Sequence, residues 1–175
     1  MYYGNIITCD IANGLGCRTS LFVSGCTRHC PGCFNPQTWD FQYGKPFTQK
    51  TMDYLLSTLH PSYIQGLTIL GGEPLEQKNL PTIADIIRQV KEKLPEKDIW
   101  IYTGWTWKDL IERTDVKDTG LLSQIDVLVD GDFQEDKKSV LLSYRGSQNQ
   151  NVIDVPKTLA QPDPTIPQLL SKNMR

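Results

Sequence analysis

Short apolar runs alternate in this chain with longer segments in which apolar residues recur every three or four positions. The run Leu67–Leu70 is typical of a buried strand. The residues Leu80, Ile83 and Ile87 that follow are spaced as on one face of an amphipathic helix. A strand, a helix and a second strand in this order form a crossover unit with parallel strands. The alternation therefore predicts an α/β fold with a mainly parallel sheet.

The same alternation extends over most of the chain, and about four or five strand–helix units are visible. A closed barrel needs eight units and roughly 250 residues. We therefore expect an open, incomplete β/α barrel. The predicted strands are Asn5–Cys9, Thr19–Ser24, Leu67–Leu70, Ile99–Thr103, Ile125–Asp130, Ser139–Tyr144 and Asn151–Val155. Three helices are predicted. The first has Thr48 as its N-cap and ends at His60, and the second has Asn79 as its N-cap and extends to Leu94. The third is Lys108–Arg113.

The length of 175 residues fits a single domain with a real core. The strand and helix patterns end near residue 155. Beyond it, Pro162, Pro164 and Pro167 interrupt a stretch with little periodicity. We therefore predict one domain over residues 1–155 and a proline-rich, loosely ordered tail over residues 156–175.

Charge and hydropathy argue against two classes of partner. The formal net charge is −2, so no strong positive field favours nucleic acid. No apolar run is long enough to cross a bilayer, and the first residues lack the features of a secretory signal. These observations predict a cytoplasmic protein, in which clustered thiols favour metal binding or catalysis over disulfides.

Cys26, Cys30 and Cys33 place three thiols within one short loop directly after a predicted strand. Thiolates favour zinc, copper(I) and iron–sulfur clusters. A cubane [4Fe–4S] cluster usually takes four cysteines, so three would leave one iron open to a substrate. Two alternatives remain on spacing alone. His29 or Cys17 would complete a structural zinc site, or the thiols would carry no ligand.

The second candidate element is the turn Gly71–Pro74, which follows the strand Leu67–Leu70. Glycines leave the backbone open to close approach by a ligand, and its carbonyl groups can accept hydrogen bonds from an ammonium group. Glu73 adds a carboxylate that binds the same ammonium or fixes the loop. An ordinary strand-to-helix turn would have the same composition.

Further candidates lie at or near the same strand ends. Asp130 closes an apolar strand and is placed to bind a ribose or the methionine part of a ligand, or to cap the turn. Phe34 would shield a cluster, contact an adenine or pack in the core. Arg145 would pair with a carboxylate, face a partner or lie on the surface. Since carboxyl ends of parallel strands meet at one edge, we expect the strand-end loops to form one site.

These segments together resemble the radical S-adenosylmethionine enzymes, and more narrowly the activases of anaerobic, class III ribonucleotide reductases. The resemblance covers roughly residues 1–155 in order. The segments that carry it are Asp10–Gly14, Leu21–Cys26, Cys30–Asn35, Gly71–Leu75, Asp98–Trp100, Tyr102–Gly104, Val127–Gly131 and Arg145–Ser147.

The resemblance implies that Cys26, Cys30 and Cys33 ligate one [4Fe–4S] cluster. Gly32, Cys33, Phe34 and Gly72 would line the S-adenosylmethionine site. The implied reaction is reductive cleavage of S-adenosylmethionine to a 5′-deoxyadenosyl radical, which generates a glycyl radical on the large reductase subunit. An external low-potential donor such as a flavodoxin would supply the electron.

The sequence departs from the broader class at one point, because Gly32 stands where many radical S-adenosylmethionine enzymes have an aromatic residue before the third cysteine. This placement matches the reductase activases. Cys9 and Cys17 have no motif spacing and receive no role. The competing functions are activation of another glycyl-radical enzyme, such as pyruvate formate-lyase, and a structural zinc module that binds a partner protein.

Overall fold

A computed structural model describes residues 1–170 of the chain. Its seven-stranded sheet has the order β3–β1–β2–β4–β5–β6–β7. The strands are β1 (Tyr2–Asp10), β2 (Cys17–Val23), β3 (Lys45–Pro46), β4 (Ile64–Gly71), β5 (Asp98–Tyr102), β6 (Val127–Asp130) and β7 (Asn151–Asp154). The helices are α1 (Gln49–Leu59), α2 (Leu80–Lys93), α3 (Trp107–Glu112), α4 (Thr114–Thr119) and α5 (Val155–Leu159).

The predicted α/β class is confirmed, and the sheet is mixed. The pairings β2–β4, β4–β5 and β5–β6 are parallel, whereas β1–β2, β1–β3 and β6–β7 are antiparallel. The antiparallel start has a simple cause. Only the short loop 11–16 joins β1 to β2, and a parallel crossover needs a dozen residues or more. The four parallel strands form the centre of the sheet.

The main core lies between the sheet and the helices. The predicted apolar faces of α1 and α2 are buried there. Ile99 and Ile101, which lie on the same face of β5, are buried there too. Trp100, Val127 and Val129 form a smaller cluster on the opposite face. Side chains alternate between the two faces of a strand, so β5 and β6 contribute to both clusters.

Two predicted elements differ from the structure. Ser139–Tyr144 is an irregular loop, with only an isolated bridge between Lys138 and Ser147 at its base. Its apolar residues find no neighbouring strand. The predicted strand Asn151–Val155 is confirmed up to Asp154, where α5 begins because Pro156 suits the first turn of a helix.

The chain beyond residue 155 contacts the sheet. Val155 and Thr158 are buried. The backbone N–H of Leu170 donates to the carbonyl of Val152 at 2.8 Å, next to a bridge between Ile153 and Leu169. The end of the predicted tail, residues 171–175, lies outside the described residues. No helix within residues 1–170 combines the length and the apolar character needed to span a membrane.

Candidate functional site

The loops that follow β2, β4, β5 and β6 meet at one edge of the sheet and enclose an open cavity of about 410 Å³. The expected convergence of strand-end loops therefore occurs. The lining residues from these loops are Cys26, Arg28, Cys30, Cys33, Phe34, Gly71, Gly72, Glu73, Tyr102, Thr103, Gly104, Gly131, Asp132 and Phe133. Residues of the loops before β2 and β7, including Asn13, Leu142, Tyr144, Arg145, Gly146 and Gln150, complete the wall.

The three clustered cysteines all line this cavity as free thiols. Backbone hydrogen bonds fix their loop, since the Cys26 N–H donates to Trp39 O at 3.2 Å and the Cys33 N–H donates to Cys30 O at 3.1 Å. Gly32 allows the tight turn between the second and third cysteine, because its φ is +70°, which favours glycine. The donor set and its placement suit a thiolate-bound iron–sulfur cluster.

Two of these thiols are shifted toward their protonated form in the metal-free protein. Burial raises the pKa of Cys26, and the nearby charge of Glu73 adds to this, against the backbone N–H of Arg28. Burial also raises the pKa of Cys30, against a hydrogen bond from the Phe133 backbone. Metal ligation requires thiolates, so cluster assembly at this site releases protons.

Both candidate fourth ligands for zinc have other partners. The His29 ring stacks on Trp39, with ring centroids 4.5 Å apart. Cys17 is joined to Cys9 by a disulfide across β1 and β2. Among residues 1–170, no three His, Cys, Asp or Glu side chains converge on the position of one metal ion. In this structure the disulfide leaves Cys17 no free thiol for a metal ion, and the His29 ring lies against Trp39.

The turn after β4 is bonded directly to the start of the cysteine loop. The N–H of Gly72 donates to Val23 O at 2.8 Å, and the N–H of Glu73 donates to Gly25 O at 2.9 Å. A Cβ on Gly72 would stand 2.7 Å from that same Gly25 oxygen. Gly72 is therefore required by the close approach of two backbones, and the two motifs form one unit.

The Glu73 carboxylate is buried, and its oxygens already have partners. Oε1 accepts hydrogen bonds from Leu75 N at 2.9 Å and from the Thr103 hydroxyl at 2.8 Å. Oε2 accepts one from Gly104 N at 2.7 Å and lies 3.8 Å from Arg28 Nε. Burial raises the pKa of Glu73, and the donors of Gly104 and Leu75 oppose this only partly. The sequence left two roles open for Glu73, binding an ammonium group or fixing the loop. The hydrogen bonds of the structure are those of a residue that fixes the loops.

Asn79 reinforces the same junction and was missed as a site residue. The sequence predicts it as the N-cap of α2, yet its side chain makes no capping bond. Its amide nitrogen instead donates to Ser24 O and to Glu73 O, both at 3.0 Å. The buried amide thus joins the end of β2 to the turn after β4.

Asp130 and Phe34 occupy different positions relative to the cavity. Asp130 does not line it: Oδ2 accepts from Trp107 N at 2.7 Å, and Oδ1 accepts from the backbone and side-chain nitrogens of Asn151. These bonds join the end of β6 to the start of α3 and the start of β7. Phe34 lines the cavity, is 60% exposed and contacts Phe133 with ring centroids 4.9 Å apart.

Two polar side chains of the cavity, those of Arg28 and Tyr102, were given no role from the sequence. Arg28 lies over the Trp105 ring, with its Cζ 4.6 Å from the ring centroid. Its Nε and the Tyr102 hydroxyl are buried without a hydrogen-bond partner within residues 1–170. Burial raises the pKa of Tyr102. Arg145 lines the cavity and donates to Gln150 O, so it is part of the wall.

Comparisons with known proteins show the family to which the chain belongs. The family model of the 4Fe-4S single cluster domain matches residues 12–153. An anaerobic ribonucleoside-triphosphate reductase-activating protein of Enterobacteria phage T4 is 42% identical over 152 residues, which cover 87% of this chain and 93% of the relative. The proteins of the same name from Pasteurella multocida and Escherichia coli K12 are 43% and 40% identical, over 86% and 87% of this chain and 95% and 97% of the relatives. The chain therefore belongs to the family of anaerobic ribonucleoside-triphosphate reductase-activating proteins, with a 4Fe-4S single cluster domain.

Proposed function

We propose that this chain activates an anaerobic ribonucleotide reductase by reductive cleavage of S-adenosylmethionine. The observation that carries the proposal is the shared cavity, in which three free thiols and the turn Gly71–Pro74 lie at one edge of the sheet. Cys26, Cys30 and Cys33 hold one [4Fe–4S] cluster and leave its fourth iron without a protein ligand. When bound, the cluster supplies the electron that breaks the sulfonium bond, and the 5′-deoxyadenosyl radical takes a hydrogen atom from a reductase glycine.

The residues around the thiols provide the seat for S-adenosylmethionine. Gly72 lines the cavity and leaves the backbone there open to close approach by the ligand. Gly32 does not line the cavity, and it contributes through the tight turn between Cys30 and Cys33. Phe34 offers an exposed ring to an adenine. Glu73 lines the cavity and orients the turn whose carbonyl groups receive the ammonium group. Asp130 lies outside the cavity and contributes by holding the start of α3 and the start of β7.

The remaining parts of the proposal follow from the open sheet. We propose that the central parallel strands form the incomplete β/α barrel of the radical S-adenosylmethionine domain, over residues 1–155, with residues 156–175 as an appended tail. The large reductase subunit is the macromolecular substrate that covers the open edge. One cluster motif is present, so an external low-potential donor such as a flavodoxin supplies the electron. We place this chemistry in the cytoplasm.

The test uses protein purified and reconstituted without oxygen, given dithionite and S-adenosylmethionine with and without the reductase. We expect 5′-deoxyadenosine, and a glycyl radical signal by electron paramagnetic resonance when the reductase is present. Cys30→Ala abolishes both, whereas Cys9→Ala retains them because Cys9 lies outside the cavity. Retained cleavage in Cys30→Ala would contradict the mechanism, as would stoichiometric zinc without acid-labile sulfide.

The same assay separates the two glycyl-radical substrates. Pyruvate formate-lyase replaces the reductase in a parallel reaction under identical conditions. We expect a glycyl signal on the reductase only, because the matching relatives are named for that enzyme. A signal on pyruvate formate-lyase alone would favour the other activase.

A further inference from the structure

Two adjacent aliphatic side chains are fully presented to solvent beside the cavity. Val140 and Leu141 are each 91% exposed, the highest values among the large exposed apolar residues. They form the tip of the loop Ser139–Gly146, which we call the apolar tip loop. An exposed aliphatic pair next to a functional cavity is typical of a surface that a partner covers.

The apolar tip loop is held firmly at its base. Ser139 N donates to Gly146 O at 3.3 Å, and Lys138 and Ser147 form a bridge. The Gln150 side chain accepts from Gly146 N at 2.9 Å and donates to Gly131 O at 2.9 Å. Tyr144 packs edge-to-face on Trp100, with centroids 5.4 Å apart. The exposure of the tip is thus fixed by an ordered base.

The same loop forms part of the cavity wall. Leu142, Tyr144, Arg145 and Gly146 line the cavity, directly after the exposed pair. Gly146 also packs against the cysteine loop, because a Cβ there would stand 3.2 Å from Cε2 of Phe34. Phe34 is itself 60% exposed. The exposed pair therefore stands at the rim of the cavity, on a loop whose next residues form the cavity wall.

We propose that the apolar tip loop, through Val140 and Leu141, is a docking element for the reductase subunit that delivers its glycine to the cavity. The inference rests on the proposed function, which requires a protein substrate at this edge of the sheet. S-adenosylmethionine is small and occupies the cavity, so it leaves the outward-facing tip uncovered. An aliphatic patch on the reductase, beside the segment that carries the glycine, would bury the pair.

The test compares wild-type protein with the double variant Val140→Ser, Leu141→Ser. Both positions are exposed and outside the cavity, so the fold, the iron content and the cleavage of S-adenosylmethionine without reductase stay unchanged. We expect the reductase concentration that gives half-maximal glycyl radical to rise about tenfold or more. The matched control is Tyr63→Ser, which removes a 67% exposed side chain next to the amino end of β4 and leaves the titration unchanged.

Direct binding of the reductase to immobilised protein gives a readout that does not depend on radical chemistry. We expect the double variant, and not Tyr63→Ser, to bind more weakly by the same factor. Equal binding of the double variant and wild type would overturn the docking role. Loss of self-association in the variant with an unchanged reductase titration would also overturn it, in favour of a contact between copies of this chain. Failure of the docking role is distinguishable from failure of the proposed function. If the proposed function were wrong, the wild-type protein itself would release no 5′-deoxyadenosine.

Discussion

The Thr103 hydroxyl donates a hydrogen bond of 2.8 Å to the buried carboxylate of Glu73. This bond joins the loop after β5 to the turn after β4, which is in turn bonded to the cysteine loop through Glu73 N and Gly25 O. The same hydroxyl accepts from Trp105 N at 3.2 Å. Thr103 thus joins the loop after β5 to the turn after β4, and the backbone of Glu73 joins that turn to the cysteine loop.

Thr103→Val should destabilise the protein with almost no change in side-chain volume. The substitution removes a donor from a buried carboxylate and an acceptor from the Trp105 N–H, which costs about 1–3 kcal/mol of unfolding free energy. Urea unfolding followed by circular dichroism measures it. Thr165→Val is the matched control, since Thr165 also donates to a carboxylate, that of Asp163, but is exposed. Equal losses in the two variants would contradict the structural role of Thr103.

Gly72→Ala and Gly104→Ala should differ sharply, although both add one methyl group near the cavity. The added carbon at position 72 would meet the backbone oxygen of Gly25, which cannot move without shifting the cysteine loop. At position 104 it would overlap the Cδ of Arg28, a flexible side chain that can swing away. We expect Gly72→Ala to bind less iron on reconstitution and Gly104→Ala to bind the normal amount. Similar iron contents in both variants would show that the Gly72 contact is dispensable.

The elements that the sequence predicts well are those with a strong period. The faces of α1 and α2 follow from apolar spacing, and strands 67–70 and 99–103 follow from compact apolar runs between turn residues. Ser139–Tyr144 has the composition of a strand but has no neighbour to pair with. Composition cannot show that difference, because a strand is stabilised by its partners.

The site was predictable where spacing carries chemistry. The three thiols and the turn after β4 are visible in the sequence because they are local motifs. The partners of Glu73 are not, since Thr103 and Gly104 reach it only through the pairing of β4 with β5. Arg28 likewise acquires its neighbours from packing against Trp105.

Asp130→Asn should affect stability and leave ligand affinity unchanged. All three hydrogen bonds to the carboxylate come from N–H donors of Trp107 and Asn151. The asparagine variant would place its amide nitrogen, itself a donor, at one of the two oxygen positions, where it would face another donor. We expect a loss of about 1–3 kcal/mol in unfolding free energy. Equilibrium dialysis of S-adenosylmethionine with the reconstituted protein measures affinity. A clear loss of affinity with normal stability would instead make Asp130 a ligand-binding residue.

Asp10 should give the protein a pH-dependent contribution to stability. Burial acts to raise its pKa, but hydrogen bonds from the Ser20 hydroxyl at 2.6 Å and the Asn13 amide at 2.7 Å outweigh it and lower the pKa below the ordinary value of 3.8. A carboxyl group with a lowered pKa in the folded state stabilises the fold above its unfolded pKa. That stabilisation is lost as the pH falls through the folded pKa.

The measurement compares wild type with Asp10→Asn by urea unfolding of the metal-free protein between about pH 7 and pH 3. Near neutrality the variant should be less stable, because the amide is a weaker acceptor for the Ser20 hydroxyl and for the Ala12 N–H at 2.8 Å. The difference should stay constant down to about pH 5 and shrink as wild-type Asp10 gains its proton. A difference that grows toward low pH would mean that Asp10 is held protonated, with its pKa raised, and that loop 11–16 is fixed by another group.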